Sequence, residues 1–304
     1  MNRRTWWVLG TVAALFFLFC VGSFWAFYRL ASGSRGRSSL SASSSRVGVI
    51  EVQGAIEDSK RVLDGIREFK EDRRLKAVVV RVDSPGGAVG PSQEIYDAVR
   101  DLAKSKKVVV SMGSTAASGG FYIACAGEKV FANPGTLTGS IGVIFQIPNF
   151  QGALRWAGVQ VNTLKAGKLK DTGNAFREMS PEEREYLQGV LTDVHRQFIE
   201  AVAEGRKLKV EEVEPYADGR VFTGRQAKEW KLVDALGGFD AAVAEAAKMA
   251  GLRGEPELQY PEEERGLLRG LLGDEVSTSL RSAARALSEV RAPGLQYRLP
   301  LLGW

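Results

Sequence analysis

The chain has 304 residues, 44% of them hydrophobic and 25% charged, with a formal net charge of +5. That length carries one large core or two modest domains, and the composition excludes a disordered or fibrous chain. The positive balance contains no dense Lys/Arg block, so it describes a mildly basic face, and no nucleic-acid partner is expected. Cys20 lies in an apolar run and Cys125 in the body, so the body has no intramolecular disulfide. With no CxxC and no Cys/His cluster, neither a zinc site nor any other metal or organic cofactor is expected.

The first element is the uncharged run WWVLGTVAALFFLFCVGSFWAFY (6–28). As a helix it covers the ~30 Å hydrocarbon core of a bilayer. Trp6, Trp7, Trp25 and Tyr28 fall near its ends, as interfacial aromatics do. Arg3 and Arg4 precede it and favour a cytoplasmic N-terminus (residues 1–5), although Arg29, Arg35 and Arg37 follow. A cleaved signal peptide has a shorter apolar core of about 7–15 residues. A lipoprotein would need a small residue before Cys20, where Phe19 stands. An uncleaved single-pass anchor is therefore expected, followed by a flexible Gly/Ser/Arg linker over 29–46.

From Val47 the pattern is α/β. VGVIEV (47–52), AVVVRVD (77–83) and KVVVSMG (107–113) predict strands, the last two apolar enough to be buried on both faces. Residues 59–72, with Val62, Leu63, Ile66 and Phe69 on one face, and 92–104, with Ile95, Val99 and Leu102 inward, predict helices. Such alternation implies parallel pairing through right-handed crossovers. Further on, the pattern predicts a helix over 118–126, a strand in KVFAN (129–133), a strand in GSIGVIF (139–145), a helix over 149–156 and a strand in VQVNTLKAG (159–167). Ser180-Pro181-Glu182-Glu183 is a capping box with proline at the first helical position, opening a helix to about Lys207. Thr223-Gly224-Arg225-Gln226 opens another, ending before Leu232. Residues 275–290 have helical spacing, and the chain ends in the apolar LQYRLPLLGW.

Three segments can carry chemistry. Asp83-Ser84-Pro85-Gly86-Gly87 ends a buried strand; it reads as a tight turn, or as a place where a free amide of Gly86 or Gly87 meets an oxyanion. Gly113-Ser114-Thr115-Ala116-Ala117-Ser118-Gly119-Gly120 puts a serine among small residues at a strand-to-helix junction; it reads as a nucleophile or as an N-cap. The third comprises Thr138-Gly139-Ser140-Ile141-Gly142 and the lysine-rich Lys165-Ala166-Gly167-Lys168-Leu169-Lys170-Asp171. A hydroxyl nucleophile needs a base. The one histidine, His195 in TDVHRQF, has the setting of a surface or half-buried helix residue, so lysine is the remaining choice. An ordinary lysine is ~0.04% neutral at pH 7 and needs burial to serve. The residues alone leave Lys165, Lys168 and Lys170 open.

DSPGG, GSTAASGGFYIA, NPGTLTGSIGV, GKLKD, REMSPEER and DGRVFTGRQAKEWKLVD, in this order, resemble the signal peptide peptidase A family, serine peptidases of the ClpP/crotonase fold built from repeated ββα units. The resemblance covers 47–251 and leaves 252–304 as an extension of uncertain role. It implies Ser118 as nucleophile, Lys170 as general base, Ser140 as the residue that orients Lys170, and the amides of Gly87 (or Gly86) and Gly119 as oxyanion donors. This chain is similar to the short, single-repeat members, which implies a homo-oligomeric ring, an octamer by the family pattern. It implies peptide substrates, signal-peptide remnants above all. The anchor implies the bacterial inner membrane, with the catalytic domain outside the cytoplasm. The rival readings are an anchored peptidase for one membrane-protein partner, a crotonase-fold acyl-CoA enzyme and an inactive scaffold.

Overall fold

The valine-rich runs build the centre of one sheet. In the computed structural model, which describes residues 45–262 and 296–298, β1 (Arg46–Gln53) and β2 (Ala77–Ser84) pair in parallel, Val49 beside Val79. After the short β3 (Gly86–Ala88), β4 (Lys107–Ala117) pairs with the other edge of β2, Val79 beside Val109. The side chains alternate as strand geometry requires. Val78, Val80 and Val82 enter one core, and Ala77 and Val79 enter another on the opposite face.

The first core lies under α1 (Lys60–Glu71), α2 (Val89–Ala103), α3 (Gly119–Ala124) and the long α5 (Pro181–Arg206). The second lies under α8 (Phe239–Met249), which sets Ala242, Val243, Ala246 and Ala247 against Val47, Val79, Val109 and Phe131. Between α3 and α5 come β5 (Lys129–Ala132), β6 (Leu137–Gly139) and the short α4 (Gln151–Trp156). Between α5 and α8 come α6 (Val210–Val213), a 3-10 turn (Glu214–Tyr216), β7 (Val221–Thr223), α7 (Gly224–Glu229) and β8 (Ala235–Leu236). The sheet runs β7-β6-β4-β2-β1-β9, with β9 (Glu257–Gln259) on the edge of β1 and β5 bridging β4 to β8. Its pairs are parallel except β6 with β7. The β2–β3–α2 succession has the expected ββα order. A separate antiparallel pair joins β3 to β10 (Gln296–Arg298).

Both capping boxes form. Ser180 Oγ accepts from the Glu183 amide at 3.2 Å while the Glu183 carboxylate accepts from the Ser180 amide at 2.9 Å. Thr223 and Gln226 exchange the same two bonds. Two predicted strands do not form as drawn. In GSIGVIF the strand stops at Gly139, because Ser140 turns the chain with φ 52°. VQVNTLKAG lies outside every strand: no neighbouring strand lines up beside it, and Val159, Val161 and Leu164 are exposed. Conversely, β4 continues past Gly113 to Ala117, carrying the predicted serine segment on a strand, and α2 starts at Val89 rather than Ser92. The proposed anchor at 6–28, linker residues 29–44 and the helix at 275–290 lie outside the described residues, while Arg46, placed in the linker, already belongs to β1. Among the described residues no helix is long and apolar enough to cross a membrane.

Candidate active site

The site gathers where β2, β4 and β6 end. Two threonines lash β6 to β4: Thr136 Oγ1 donates to Gly113 O at 2.7 Å and Thr138 Oγ1 donates to Ala116 O at 2.6 Å. The Ser118 amide then donates to Gly139 O at 2.8 Å, so Ser118 and Ser140 leave adjacent strand ends. Both stand in the left-handed half of backbone space, Ser118 at φ 55° and Ser140 at φ 52°. For a non-glycine residue that is strain of order 1–3 kcal/mol, held only where the surroundings enforce it.

At Ser118 the reason for the strain is visible. The residue occupies the N-cap position of α3, yet its side chain makes no capping bond. Its hydroxyl is fully buried and has no hydrogen-bond partner. A buried hydroxyl without a partner is unfavourable by about 1–3 kcal/mol, so it marks a site kept for another purpose. The N-cap reading of Ser118 is therefore set aside.

The two glycine segments meet beside it. A side chain on Gly119 would place its Cβ 2.5 Å from Ser92 Oγ and 3.3 Å from Gly87 N, which brings the Gly87 amide to the head of α3. Gly87 itself has no room for a Cβ, which would sit 2.0 Å from Ile56 O. Of the two amides left open by the sequence, that of Gly86 is occupied, donating to Ser84 Oγ at 3.1 Å. Ser84 Oγ in turn donates to Gly54 O at 2.6 Å. The Ile56 amide donates to Gly86 O at 3.0 Å and the Ala88 amide donates to Ile56 O at 2.7 Å. Backbone alternation therefore turns the N–H of Gly87 away from Ile56, to the opposite edge of β3.

The candidate base is not drawn in. Lys170 is exposed, and Ser118 Oγ lacks any partner, so the serine–lysine hydrogen bond is not made within one chain. The neighbours of Lys170 are nevertheless fixed. Arg177 Nε donates to the Asp171 carboxylate at 3.1 Å, and an Arg177 Nη donates to Glu183 Oε2 at 2.8 Å. Lys165 pairs with the same Asp171 carboxylate. Lys165 and then Arg177 hold Asp171 below the usual carboxylate range. Arg177 and the Ser180 amide hold Glu183 down to about 2. The loop that presents Lys170 is thus tied through Arg177 to the capping box of α5. Sequence reasoning used REMSPEER as a motif and a helix start without seeing that its arginine links the two. Lys168 instead reaches Glu182 at 2.7 Å.

His195 is half-buried on α5 and donates from Nε2 to Ile141 O at 3.2 Å. That contact steadies the turn after Ser140 and leaves no imidazole on Ser118, so no Ser-His pair forms in this chain. Cys125 is also excluded as a nucleophile, since burial pushes its thiol up to about 12. A strained serine at a strand-to-helix junction, with the Gly87 amide at the head of the helix that follows it, is an arrangement suited to acyl transfer.

Comparison with known proteins gives the family. The profile of Peptidase family S49 matches residues 100–253, and that of Clp protease matches residues 44–138. The chain is 44% identical over 231 residues to "Putative protease slr0021" of Synechocystis sp., covering 75% of this chain and 83% of that protein. It is 32% identical over 253 residues to "Putative signal peptide peptidase SppA" of Enterococcus faecium, covering 78% and 73%. It is 36% identical to Protease 4 of Salmonella typhi over 251 residues, which is 79% of this chain and 40% of that longer one. The chain belongs to Peptidase family S49: it is a serine protease of the signal peptide peptidase A type on a mixed α/β, ClpP/crotonase-like fold. The acyl-CoA enzyme and the inactive scaffold are thereby set aside.

Proposed function

We propose that Ser118 is the nucleophile and Lys170 the general base of a membrane-anchored endopeptidase that degrades signal-peptide remnants. The buried, unpartnered Ser118 hydroxyl, on a strained backbone beside the Gly87 amide, carries the reading. Ser118 Oγ attacks the peptide carbonyl as Lys170 takes its proton. The N–H groups of Gly87 and Gly119 hold the oxyanion, and Gly87 is preferred to Gly86 because its amide lies at the head of α3 while that of Gly86 turns back to Ser84 Oγ. Lys170 returns the proton to the leaving amine, and water then releases the acyl group from Ser118. Ser140, one residue beyond the carbonyl that fixes the Ser118 amide, orients the lysine.

Lys170 reaches Ser118 in an assembled ring rather than in the isolated chain. The segment that bears it shows Trp156, 91% exposed, and Leu164, 99% exposed, apolar surface that a neighbouring copy would cover. Residues 6–28 hold the ring in the inner membrane, N-terminus in the cytoplasm and catalytic body outside, where remnants of secreted proteins accumulate. The relative named as a signal peptide peptidase supports this substrate class.

The test is to incubate detergent-solubilised full-length protein with synthetic signal peptides and with folded mature secretory proteins, reading products by mass spectrometry. Cleavage of the peptides alone, absent in Ser118→Ala, is expected. Preferential cutting of a folded membrane protein would favour the dedicated-partner reading instead.

A further inference from the structure

Asp83 leads the DSPGG segment, and the proposed reaction gives it no part. It stands where the pairing of β2 with β4 slips. Between the pairs Val82–Met112 and Ser84–Ala116, β2 passes through Asp83 alone, while β4 passes through Gly113, Ser114 and Thr115. β4 therefore bulges there, and a bulge bends its strand and re-aims the residues that follow. The bulge is also where β4 changes partner. Before it, residues 109–111 lie opposite 129–131 of β5; beyond it, residues 115–117 lie opposite 137–139 of β6, and Ser118 comes next.

Both flanks of the bulge are held from β2, where Arg81 and Asp83 share one face. Arg81 Nη1 donates to Ser111 Oγ at 2.8 Å and to Met112 O at 3.1 Å, and its guanidinium lies over the Phe239 ring, 5.8 Å from the centroid. On the far flank the Thr115 amide has slipped out of the ladder, and Asp83 Oδ1 accepts from it at 3.0 Å. Gly113, between them, accepts from Thr136 Oγ1 at 2.7 Å and lies under the Asp83 carboxylate: a Cβ there would sit 2.5 Å from Asp83 Cγ and Oδ2. We propose that Asp83 is a positioning residue for the acyl transfer: its carboxylate holds the bulge of β4 in the shape that sets Ser118 at its reacting position, with Arg81 fixing the near flank. A carboxylate accepting from a backbone amide is a charge-assisted and directional anchor. The proposal rests on Ser118 as nucleophile, and the following experiment separates the two.

Detergent-solubilised full-length wild type is compared with Asp83→Ala, Asp83→Asn and Asp83→Glu. Cleavage of a synthetic signal peptide gives kcat and KM, and labelling of Ser118 by a fluorophosphonate, taken to completion, counts the competent sites. Asp83→Ala is expected to lose about 10²-fold in kcat per labelled serine, the scale of a nucleophile misplaced by about 1 Å, with KM within about twofold and the shape of the pH profile kept. Asp83→Asn retains an oxygen that can accept from Thr115 and is expected to recover kcat to within about fivefold of wild type. Asp83→Glu keeps the charge but carries its oxygens one methylene farther, and is expected to fall with Asp83→Ala. Should Asp83→Ala not fold, the order of Asn above Glu decides. A purely structural role would lower the melting temperature and leave kcat per labelled serine equal in all four proteins; that result, or Asp83→Asn as slow as Asp83→Glu, overturns the proposal while Ser118 stands. If wild type cleaves the peptide but does not label at Ser118, the nucleophile assignment falls and this proposal with it.

Discussion

Ser118 is held at φ 55° with a buried hydroxyl that bonds to nothing, and both features oppose stability. Glycine adopts that backbone without strain and brings no hydroxyl. Ser118→Gly should therefore be more stable than Ser118→Ala by about 1–2 kcal/mol in chemical denaturation, with both inactive. Equal stabilities would show that the backbone there is not strained. Gly119, by contrast, has no room for a side chain. A Cβ 2.5 Å from Ser92 Oγ and 3.3 Å from Gly87 N must displace one of them. Gly119→Ala should lower kcat by about 10²-fold or more, the scale of one oxyanion donor, while KM changes little. His195, which holds Ile141 O and not the serine, is expected to be dispensable for chemistry: His195→Gln should keep more than about a tenth of kcat, whereas loss of a true general base removes far more.

At the scale of elements, the loop that presents Lys170 depends on Arg177, which clamps Asp171 and Glu183 together. Arg177→Met should depress kcat without abolishing it, and the pH profile should keep its shape, as fits a positioning residue rather than a base. Glu183 gives the clamp an acid limit. Its folded pKa is lowered from an ordinary 4.5 to about 2, so its contribution is present above about pH 4.5 and lost as pH falls through 2. The stability difference between wild type and Glu183→Gln should therefore shrink between about pH 5 and pH 2; a constant difference would mean the carboxylate is not held by Arg177.

The sequence made the central strands and both capping boxes legible because each rests on local chemistry: β-branched runs buried on both faces, and Ser/Thr followed at the third position by Glu or Gln. It made Ser118 and the two glycine segments legible as a nucleophile or a cap, oxyanion amides or a turn. The choice between Gly86 and Gly87 was not legible, because it depends on Ser84 Oγ and Ile56, which only the folded backbone brings there. The false strand at 159–167 came from true alternation of Val159, Val161 and Leu164, whose pattern says nothing about whether a partner strand exists. The β9 edge strand and β10 were missed because three-residue strands carry too little period to read.

For the whole molecule, the proposed function brings Lys170 to Ser118 only in an assembly of copies. Trp156 and Leu164 stand almost wholly exposed near the lysine loop, and the serine–lysine bond is absent from the single chain. Trp156→Glu and Leu164→Glu should convert the detergent-solubilised assembly to smaller species by sedimentation velocity, with peptidase activity falling in step. Full activity in a monomer would contradict the ring. The most direct measurement of the central claim is single-turnover acylation of Ser118 by an activated peptide ester in the assembled full-length enzyme, compared with Lys170→Ala and Lys165→Ala. Lys170→Ala is expected to lose about 10³-fold or more of the acylation rate with its assembly and melting temperature unchanged, and Lys165→Ala to stay within about tenfold of wild type. Acylation at near wild-type rate in Lys170→Ala would contradict the claim.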